Sequence, residues 1–404
     1  MHGIAAAQGA MENEKGIEAN AADPIIDKPV ISSPGALRAV GRGLHQPITV
    51  SMLSNWENLC DLAKHQFGGI LAVSASDRRS GRVRTVPRES PTVAGQRQVN
   101  VWVDSDAGFD DLWAVLVARA LGLEIDGLSL VFGNSSMLRV AKNATAAATV
   151  FDWSFPVFKG AATALLGTAE TAERILGESG MRSRGLRLPE TTGKDGPTSA
   201  FEAMAAWLQA GSRRRLLAFG PLTNVAALAI ARPDLIDRIE RVVWMGGGIS
   251  SGNHTPAAEF NAYADPEALA ALLARRVPIT MVELDTCRKV RFDASDLQAL
   301  FRKRGRNAAL LGDLAGGYLD IALEHGHQSM AIYDPVAVAV LARPEYFSIN
   351  DARVDVVLSG PERGRTVVDF QTAGDACNAK VAANPQSATV KRTCMNVLLR
   401  ECER

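Results

Sequence analysis

Four aspartates crowd into the eight-residue stretch DSDAGFDD: Asp104, Asp106, Asp110 and Asp111. Carboxylates packed this densely repel one another unless a positive charge joins them. Asp104 and Asp106 have the period-2 spacing of a strand end, which predicts that both face one side. Gly108 allows a tight turn. Asp110 and Asp111 open the helix that follows, where the helix dipole favours negative charge. The segment therefore predicts several oxygens folded around one point. Hard oxygen ligands with no Cys or His nearby favour Ca²⁺ or Mg²⁺ over zinc. Read instead as a helix cap with incidental acidic neighbours, the stretch accounts for one or two aspartates and leaves the others unexplained.

The elements around this stretch must position it. VNVWVD (99–104) is a buried-strand run, 110–121 a helix and 125–132 a strand. Residues 137–153 are helical and 155–160 form a short strand. A helix over 199–209 leads to a strand over 215–220, then to a helix over 221–231 with Pro221 at its first position. A strand over 241–245 ends in three glycines, 265–274 is a helix, and 278–285 is a strand. Alternating strands and helices predict an α/β fold, with a mostly parallel, Rossmann-like sheet covered on both faces. Ligands in such sheets sit beyond the carboxyl ends of the strands, so the loops there should carry the chemistry.

Before that domain the chain reads differently. Residues 1–46 are rich in Ala, Gly, Asn and Glu, which predicts disorder. They lack the apolar core of a secretory signal peptide. Residues 47–97 form an extension. Trp56, Leu59, Leu62, Phe67 and Ile70 suggest a short packed helix, and 76–97 form a basic connector punctuated by Pro and Gly. The single catalytic domain is expected over 98–404. Lys+Arg and Asp+Glu balance at 44 each, so nothing electrostatic points to a nucleic-acid partner. No window reaches the roughly 20 apolar residues of a membrane span. Five scattered cysteines without a CxxC pair argue against zinc and against a disulfide framework.

A DxD after the first strand also suits a Mg²⁺-dependent phosphatase of the haloacid-dehalogenase type, with a phosphorylated aspartate. That class usually continues x-Thr or x-Val, whereas Ala107-Gly108 follows here, and Asp110-Asp111 would have no role. The later motifs favour another reading. VFGN (131–134), GPLTNVA (220–226), VVWMGGG (242–248), GN-x5-EFN (252–261), DPEA (265–268) and YDPVAVA (333–339) follow DSDAGFDD in order. Over residues 98–400 the chain resembles the inosine-uridine-preferring nucleoside hydrolases. The resemblance implies Ca²⁺ held by Asp106, Asp111, Asp334 and the main-chain carbonyl of Phe219, where the family usually has Thr. It implies that Asp106 also takes the proton of the attacking water. It further implies that Asp110, Asn253, Glu259 and Asn261, with Asn134 close by, hold the ribose hydroxyls. Buried carboxylates would stabilise the positive charge that develops on the ribose. Alternation predicts Glu259 and Asn261 on one side of an extended segment. Bland readings exist beside these: Asn224 as a cap or packing residue, Glu259 as a surface charge, and Asp334 before Pro335 as an N-cap.

Two departures from the family lie on the leaving-group side. Tyr333 stands where most members have the His expected to protonate the departing base, and Leu176, within RILGESGM (174–181), stands where the flap usually has a His. Tyrosine, with an ordinary pKa near 10, is the weaker acid. Two hypotheses follow: a hydrolase for an unusual ribosyl compound, with Tyr333 as the group facing the base, or a ribosyl-binding module with little turnover. Tyr263 and Tyr333 are both candidates to stack on a base. From about residue 47 onward the chain also resembles the nucleoside-hydrolase-like type III effectors of plant-pathogenic bacteria. That likeness rests on LSNWENLCDLAKHQFGGILAVSAS (53–76), the basic connector and VWVDSDAGFDDLWAVLVARALGL. It implies delivery into the plant cell, to cytoplasm or nucleus, a small ribosyl substrate there, and recognition by plant immune receptors.

Overall fold

A computed structural model describes residues 99–191, 199–211 and 213–404. The expected disordered segment, the helix around Trp56 and the basic connector lie outside the described residues. Strands are β1 (Val99–Ser105), β2 (Leu123–Leu130), β3 (Val157–Lys159), β4 (Arg214–Ala218), β5 (Ile239–Met245), β6 (Ile279–Val282), β7 (Arg291–Asp293), β8 (Ser329–Ala331), β9 (Ser348–Val356), β10 (Thr366–Asp369) and β11 (Ala379–Ala383). Helices are α1 (Phe109–Ala120), α2 (Met137–Val150), α3 (Glu173–Leu176), α4 (Ala200–Gln209), α5 (Thr223–Ala231), α6 (Phe260–Ala264) and α7 (Pro266–Ala274). They continue as α8 (Leu284–Cys287), α9 (Ala294–Phe301), α10 (Ala308–Glu324), α11 (Asp334–Ala342) and α12 (Ser387–Glu401).

The main sheet runs β10-β9-β11-β6-β5-β4-β1-β2-β3. From β11 to β3 every neighbouring pair is parallel; β9 pairs antiparallel with both β11 and β10. The expected α/β class and mostly parallel sheet are therefore present. Alternation along the central strands divides the core into two. Val101, Val103, Leu217, Val243 and Met245 face one side, where α1, α11 and α12 supply Trp113, Val338 and Leu398. Trp102, Leu216, Ala218, Val242 and Trp244 face the other, against Leu228 of α5 and Leu272 of α7. Such strands need apolar residues on both faces, which is why they read as unbroken hydrophobic runs. Burying each large side chain contributes about 1.5–3 kcal/mol.

The chain leaves β1 toward β2 and β3 on one side, then returns to lay β4 against the other side of β1. Sheet order reverses between β1 and β4, so a crevice opens at their carboxyl ends. The aspartate stretch leaves β1 at this point, and Phe219 follows β4.

Several local expectations need correction. The left-handed residue in the aspartate loop is Ala107 (φ 49°), while Gly108 (φ −81°) is the N-cap of α1. Helix α5 starts at Thr223 with Leu222 as its cap, so Pro221 lies ahead of it. The strand expected over 278–285 stops at Val282, because Glu283 caps α8 through Thr286 and Asp285 N–H. Residues beyond 285, left unassigned by pattern, hold the antiparallel edge and four longer helices.

Candidate active site

The loop after β1 is locked from three directions. Ser105 Oγ donates to Asp111 Oδ1 at 2.6 Å, and Gly108 N–H donates to Asp111 Oδ2 at 2.9 Å. Asp111 thus closes the first turn of α1 as well as facing the cluster, so the capping role and the site role coincide in one residue. Asn134 reaches across from the loop after β2. Its N–H and its Nδ2 each donate to Asp106 at 2.8 Å, and Nδ2 also lies 3.2 Å from Asp111 Oδ2. The VFGN motif has a steric reason as well. Gly133 has φ +159°, and a Cβ there would sit 2.1 Å from Asp106 Oδ2.

Asp104 does not share the side of Asp106. It is buried behind the loop, where Ser129 Oγ and Asn224 Nδ2 donate to its Oδ1. Burial pushes its carboxyl up to about 7, against those two hydrogen bonds. Nor does it line the cavity described below. An aspartyl-phosphate at this position would have no access to substrate, so the phosphatase reading fails on geometry. The expectation that Asp104 and Asp106 face one side is wrong because β1 ends at Ser105, so the strand's alternation does not extend to Asp106.

Asp334 is brought to the cluster by α11. The N-cap of that helix is Tyr333, and Asp334 is its first residue rather than the cap. Oxygens of Asp110, Asp111 and Asp334 all lie within 4.8 Å of one another. Every carboxyl in the group is pushed upward. For Asp106 burial comes first, then the charges of Asp111 and Asp110; for Asp334 burial, then Asp110, Asp111 and Asp106. Asp110 rises to about 7 through burial and Asp111, although the Tyr318 hydroxyl donates to its Oδ2 at 2.9 Å. A buried, oxygen-only cluster of converging carboxylates is the donor set of a hard divalent cation. The residues therefore fit a metal.

The cluster forms the floor of a cavity of about 940 Å³. Asp106, Asp110, Asn134, Phe219, Asn253, Glu259, Asn261, Tyr333 and Asp334 all line it; Asp111 lies just beneath. Glu259 and Asn261 are not on an extended segment. Glu259 caps the short helix α6, accepting from Asn261 and Ala262 N–H, and Asn261 is the second residue of that helix. Glu259 Oε2 also accepts from Gly247 N–H at 2.8 Å, which gives the three glycines after β5 a role. Burial pushes Glu259 up to about 7 against its backbone donors. Asn261 Nδ2 donates to the Phe219 carbonyl (2.7 Å) and the Met245 carbonyl (3.0 Å). Asn253 Oδ1 accepts from Phe260 N–H at 2.9 Å.

Pattern reading missed several residues here. Asn224, left open between cap and packing residue, joins two strands and the loop after a third. Its Nδ2 donates to Asp104 and to the Leu130 carbonyl (2.9 Å), and its Oδ1 accepts from Ala161 N–H (2.8 Å). Tyr318 was not singled out, nor were His254, His325 and His327, which all line the cavity. His254 directly follows the GN motif and packs on Tyr263 with ring centres 4.3 Å apart. Burial lowers its pKa, opposed by Glu170 at 3.6 Å. Tyr263 itself does not line the cavity, whereas Tyr333 does. The flap helix α3 places Arg174, Ile175 and Leu176 over the opening.

Comparison with known proteins agrees with this arrangement. The chain is 32% identical over 296 residues to a pyrimidine-specific ribonucleoside hydrolase, RihA, of Salmonella gallinarum, covering 70% of this chain and 93% of that protein. A RihA of Escherichia coli O1:K1 / APEC is 32% identical over 292 residues, covering 70% and 92%. Among solved structures, a purine-preferring ribonucleoside hydrolase from Gardnerella vaginalis superimposes with a TM-score of 0.69 at 25% identity, over 75% of this chain and 99% of that one. A plant nucleoside hydrolase, PpNRh1, shares the fold with a TM-score of 0.68 at 24% identity, over 75% and 99%. The family profile described as inosine-uridine preferring nucleoside hydrolase matches residues 101–392, most of the described chain and all of the cavity's carboxylates. The converging aspartates, the amide-lined cavity and these matches agree, and the chain belongs to the inosine-uridine preferring nucleoside hydrolase family.

Proposed function

We propose that this N-glycosidase hydrolyses the N-ribosidic bond of a nucleoside or ribosyl derivative with Ca²⁺ as its cofactor, held by Asp106, Asp111, Asp334 and the Phe219 carbonyl. The observation that carries the reading is the convergence of Asp110, Asp111 and Asp334 at the floor of the cavity that Glu259 and Asn261 line. Asp110 belongs to that close group as well, so it would be near both a bound cation and the sugar. A bound divalent cation would supply positive charge that orients and acidifies the attacking water.

The chain's own residues divide the remaining work. Asp106, aimed by two donors from Asn134, accepts the proton of the water that attacks C1′. Both amide protons of Asn261 are spent on carbonyls, which leaves its Oδ1 to accept a ribose hydroxyl. Asn253 has spent its oxygen on Phe260 and has its NH₂ to donate. Asp110 and Glu259, acceptors when ionised, stabilise the charge that grows on the sugar as the bond breaks. Tyr333 faces the departing base. Burial pushes its phenol up to about 12, so it donates a hydrogen bond rather than a proton at neutral pH.

The test is release of base and ribose from a panel of purine and pyrimidine nucleosides, with Ca²⁺ or Mg²⁺ and with chelator. Turnover that disappears in chelator and in Asp106→Ala supports the reading. Equal turnover with and without the cation overturns it.

We propose further that the protein acts as a type III effector inside plant cells, where an immune receptor is its partner. The support is the resemblance carried by residues 53–76, the basic connector and the first strand and helix. A translocation reporter fused to residues 1–97, followed in secretion-competent and secretion-deficient bacteria, tests it; equal signal from both strains would refute it.

A further inference from the structure

Carboxylates Asp106, Asp110 and Asp334 converge on the floor that takes the ribose, and Glu170, Arg174 and Arg182 also line the cavity. Arg288 and Arg291 line it too, close enough to Tyr333 for their charges to act on its phenol. Local geometry fixes that placement. Cys287 Sγ lies 3.9 Å from the Tyr333 carbonyl, and Arg288 is the next residue. Ile332 N–H donates to the Val290 carbonyl at 3.2 Å, and Arg291, next along, pairs with Ala331 in the two-stranded β7–β8 sheet. Two guanidinium groups therefore lie within electrostatic reach of the side chain that faces the leaving group.

Both are held rather than waving. Arg288 Nη2 donates to the Gly252 carbonyl at 2.7 Å and Nη1 to Ser251 Oγ at 2.8 Å, and among the described residues Asp285, at 3.6 Å, is the carboxylate paired with it. Arg291 Nε donates to Ser329 Oγ at 2.7 Å and Nη2 to the Ser329 carbonyl, and among the described residues no carboxylate pairs with it. These bonds consume some of the five N–H donors that each guanidinium carries, and the remainder are available. A fixed, partly desolvated pair of cations is suited to a planar anion.

We propose that Arg288 and Arg291 make the leaving-group side of this site select ribosides whose base is acidic or carries a carboxylate, and that the base departs as an anion. The inference rests on the hydrolase reading and deepens it. The C1′–N bond breaks with both electrons going to the base nitrogen. The water adds its hydroxyl to C1′ and gives its proton to Asp106. The base anion, held by the two guanidinium groups, takes up a proton from solvent after release, and Asp106 returns its proton to solvent. Products are ribose and the neutral or carboxylate base, and no proton donor is needed during bond cleavage. That relation accounts for a tyrosine where the family usually has a stronger acid.

Matched pairs test this: xanthosine against inosine, and orotidine against uridine, in wild type, Arg291→Gln, Arg291→Lys and Arg288→Lys. The expected result is a kcat/KM at least ~10-fold higher for the acidic member of each pair, a ratio that falls about tenfold in Arg291→Gln and is largely kept in Arg291→Lys. A purely structural role for Arg291 would lower both members equally. Inosine and uridine cleaved as fast as their acidic partners, or a ratio unmoved by Arg291→Gln, would overturn the proposal. Should no riboside turn over, the hydrolase reading fails and calorimetry of the free bases decides separately. Binding of orotate that exceeds that of uracil and disappears in Arg291→Gln supports the cationic wall; equal binding of the two refutes it.

Discussion

Asn224, second residue of α5, donates to Asp104 Oδ1 at 2.7 Å across 120 residues of chain. The same amide holds the Leu130 carbonyl and Ala161 N–H, so one side chain ties β1, β2 and the loop after β3 beneath the active-site floor. Removing it takes a partner from three buried polar groups at once, with Asp104 Oδ1 left to Ser129 alone.

Asn224→Ala should therefore destabilise the protein by about 2–4 kcal/mol, the scale of leaving buried partners unsatisfied. Urea unfolding monitored by tryptophan fluorescence measures this. Asn224→Asp should be at least as damaging, because it sets a second carboxylate against Asp104. A midpoint within error of wild type for both variants would mean that the network is incidental.

Asp334→Asn separates stability from function. Without cation, the floor holds carboxyls whose mutual repulsion and burial both oppose folding. Replacing one with a neutral amide should raise the stability of the chelator-treated protein by roughly 1–2 kcal/mol. If Ca²⁺ binds as proposed, wild type should gain Tm in Ca²⁺ and the variant should lose that gain. Differential scanning calorimetry with and without Ca²⁺ reads both effects, and an unchanged calcium response would place the cation elsewhere.

Gly133→Ala tests the close approach to Asp106. The methyl group would fall 2.1 Å from Oδ2, so Asp106 or the loop has to move. The expected outcome is a loss of about 10²-fold or more in kcat/KM, the scale of a displaced general base, with the cooperative unfolding transition preserved. Retention of more than a tenth of the activity would show that the loop yields without moving the carboxylate.

Asp265 predicts a pH dependence of stability away from the metal floor. It caps α7 through Ala268 N–H, and it accepts from Thr223 Oγ1 and Leu165 N–H. Burial nevertheless pushes it from 3.8 up to about 6. The folded state thus binds the proton more tightly than the unfolded chain. Stability should fall as pH rises from about 4 through about 6, by roughly 2–3 kcal/mol at most. Burial-raised Glu259, at about 7, extends the same slope upward. Urea midpoints in chelator at several pH values, for wild type and Asp265→Asn, should differ in slope across that window; parallel curves would contradict the assignment.

What could be read in advance follows from which forces are local. VNVWVD announces itself because a strand covered on both faces needs apolar residues throughout. The DSDAGFDD loop does so because four like charges have no local explanation. Strand β9, SINDARVDV, does not, since much of it is open to solvent and its polar residues break the pattern. Nor could sequence distinguish Asn224 as a cap from Asn224 as a brace, because its partners arrive from β1 and β2 through the sheet order. Arg288 and Arg291 were not singled out in the sequence, because the β7–β8 pairing that brings Arg291 beside Ala331 joins segments about forty residues apart. His254 lay beside a motif already singled out, and only the cavity shows that its ring is inside.

The reversal of sheet order between β1 and β4 has a consequence for how the protein is made. The aspartate loop leaves the ribosome early, yet β4 arrives about a hundred residues later, and Asp334 later still. A nascent chain that ends at β3 holds part of the acidic cluster but lacks Phe219, Glu259, Asn261 and Asp334. A cation held by these groups would therefore have no complete binding place during most of synthesis, and it would close on the sheet only after the long-range strand pairing that completes the site.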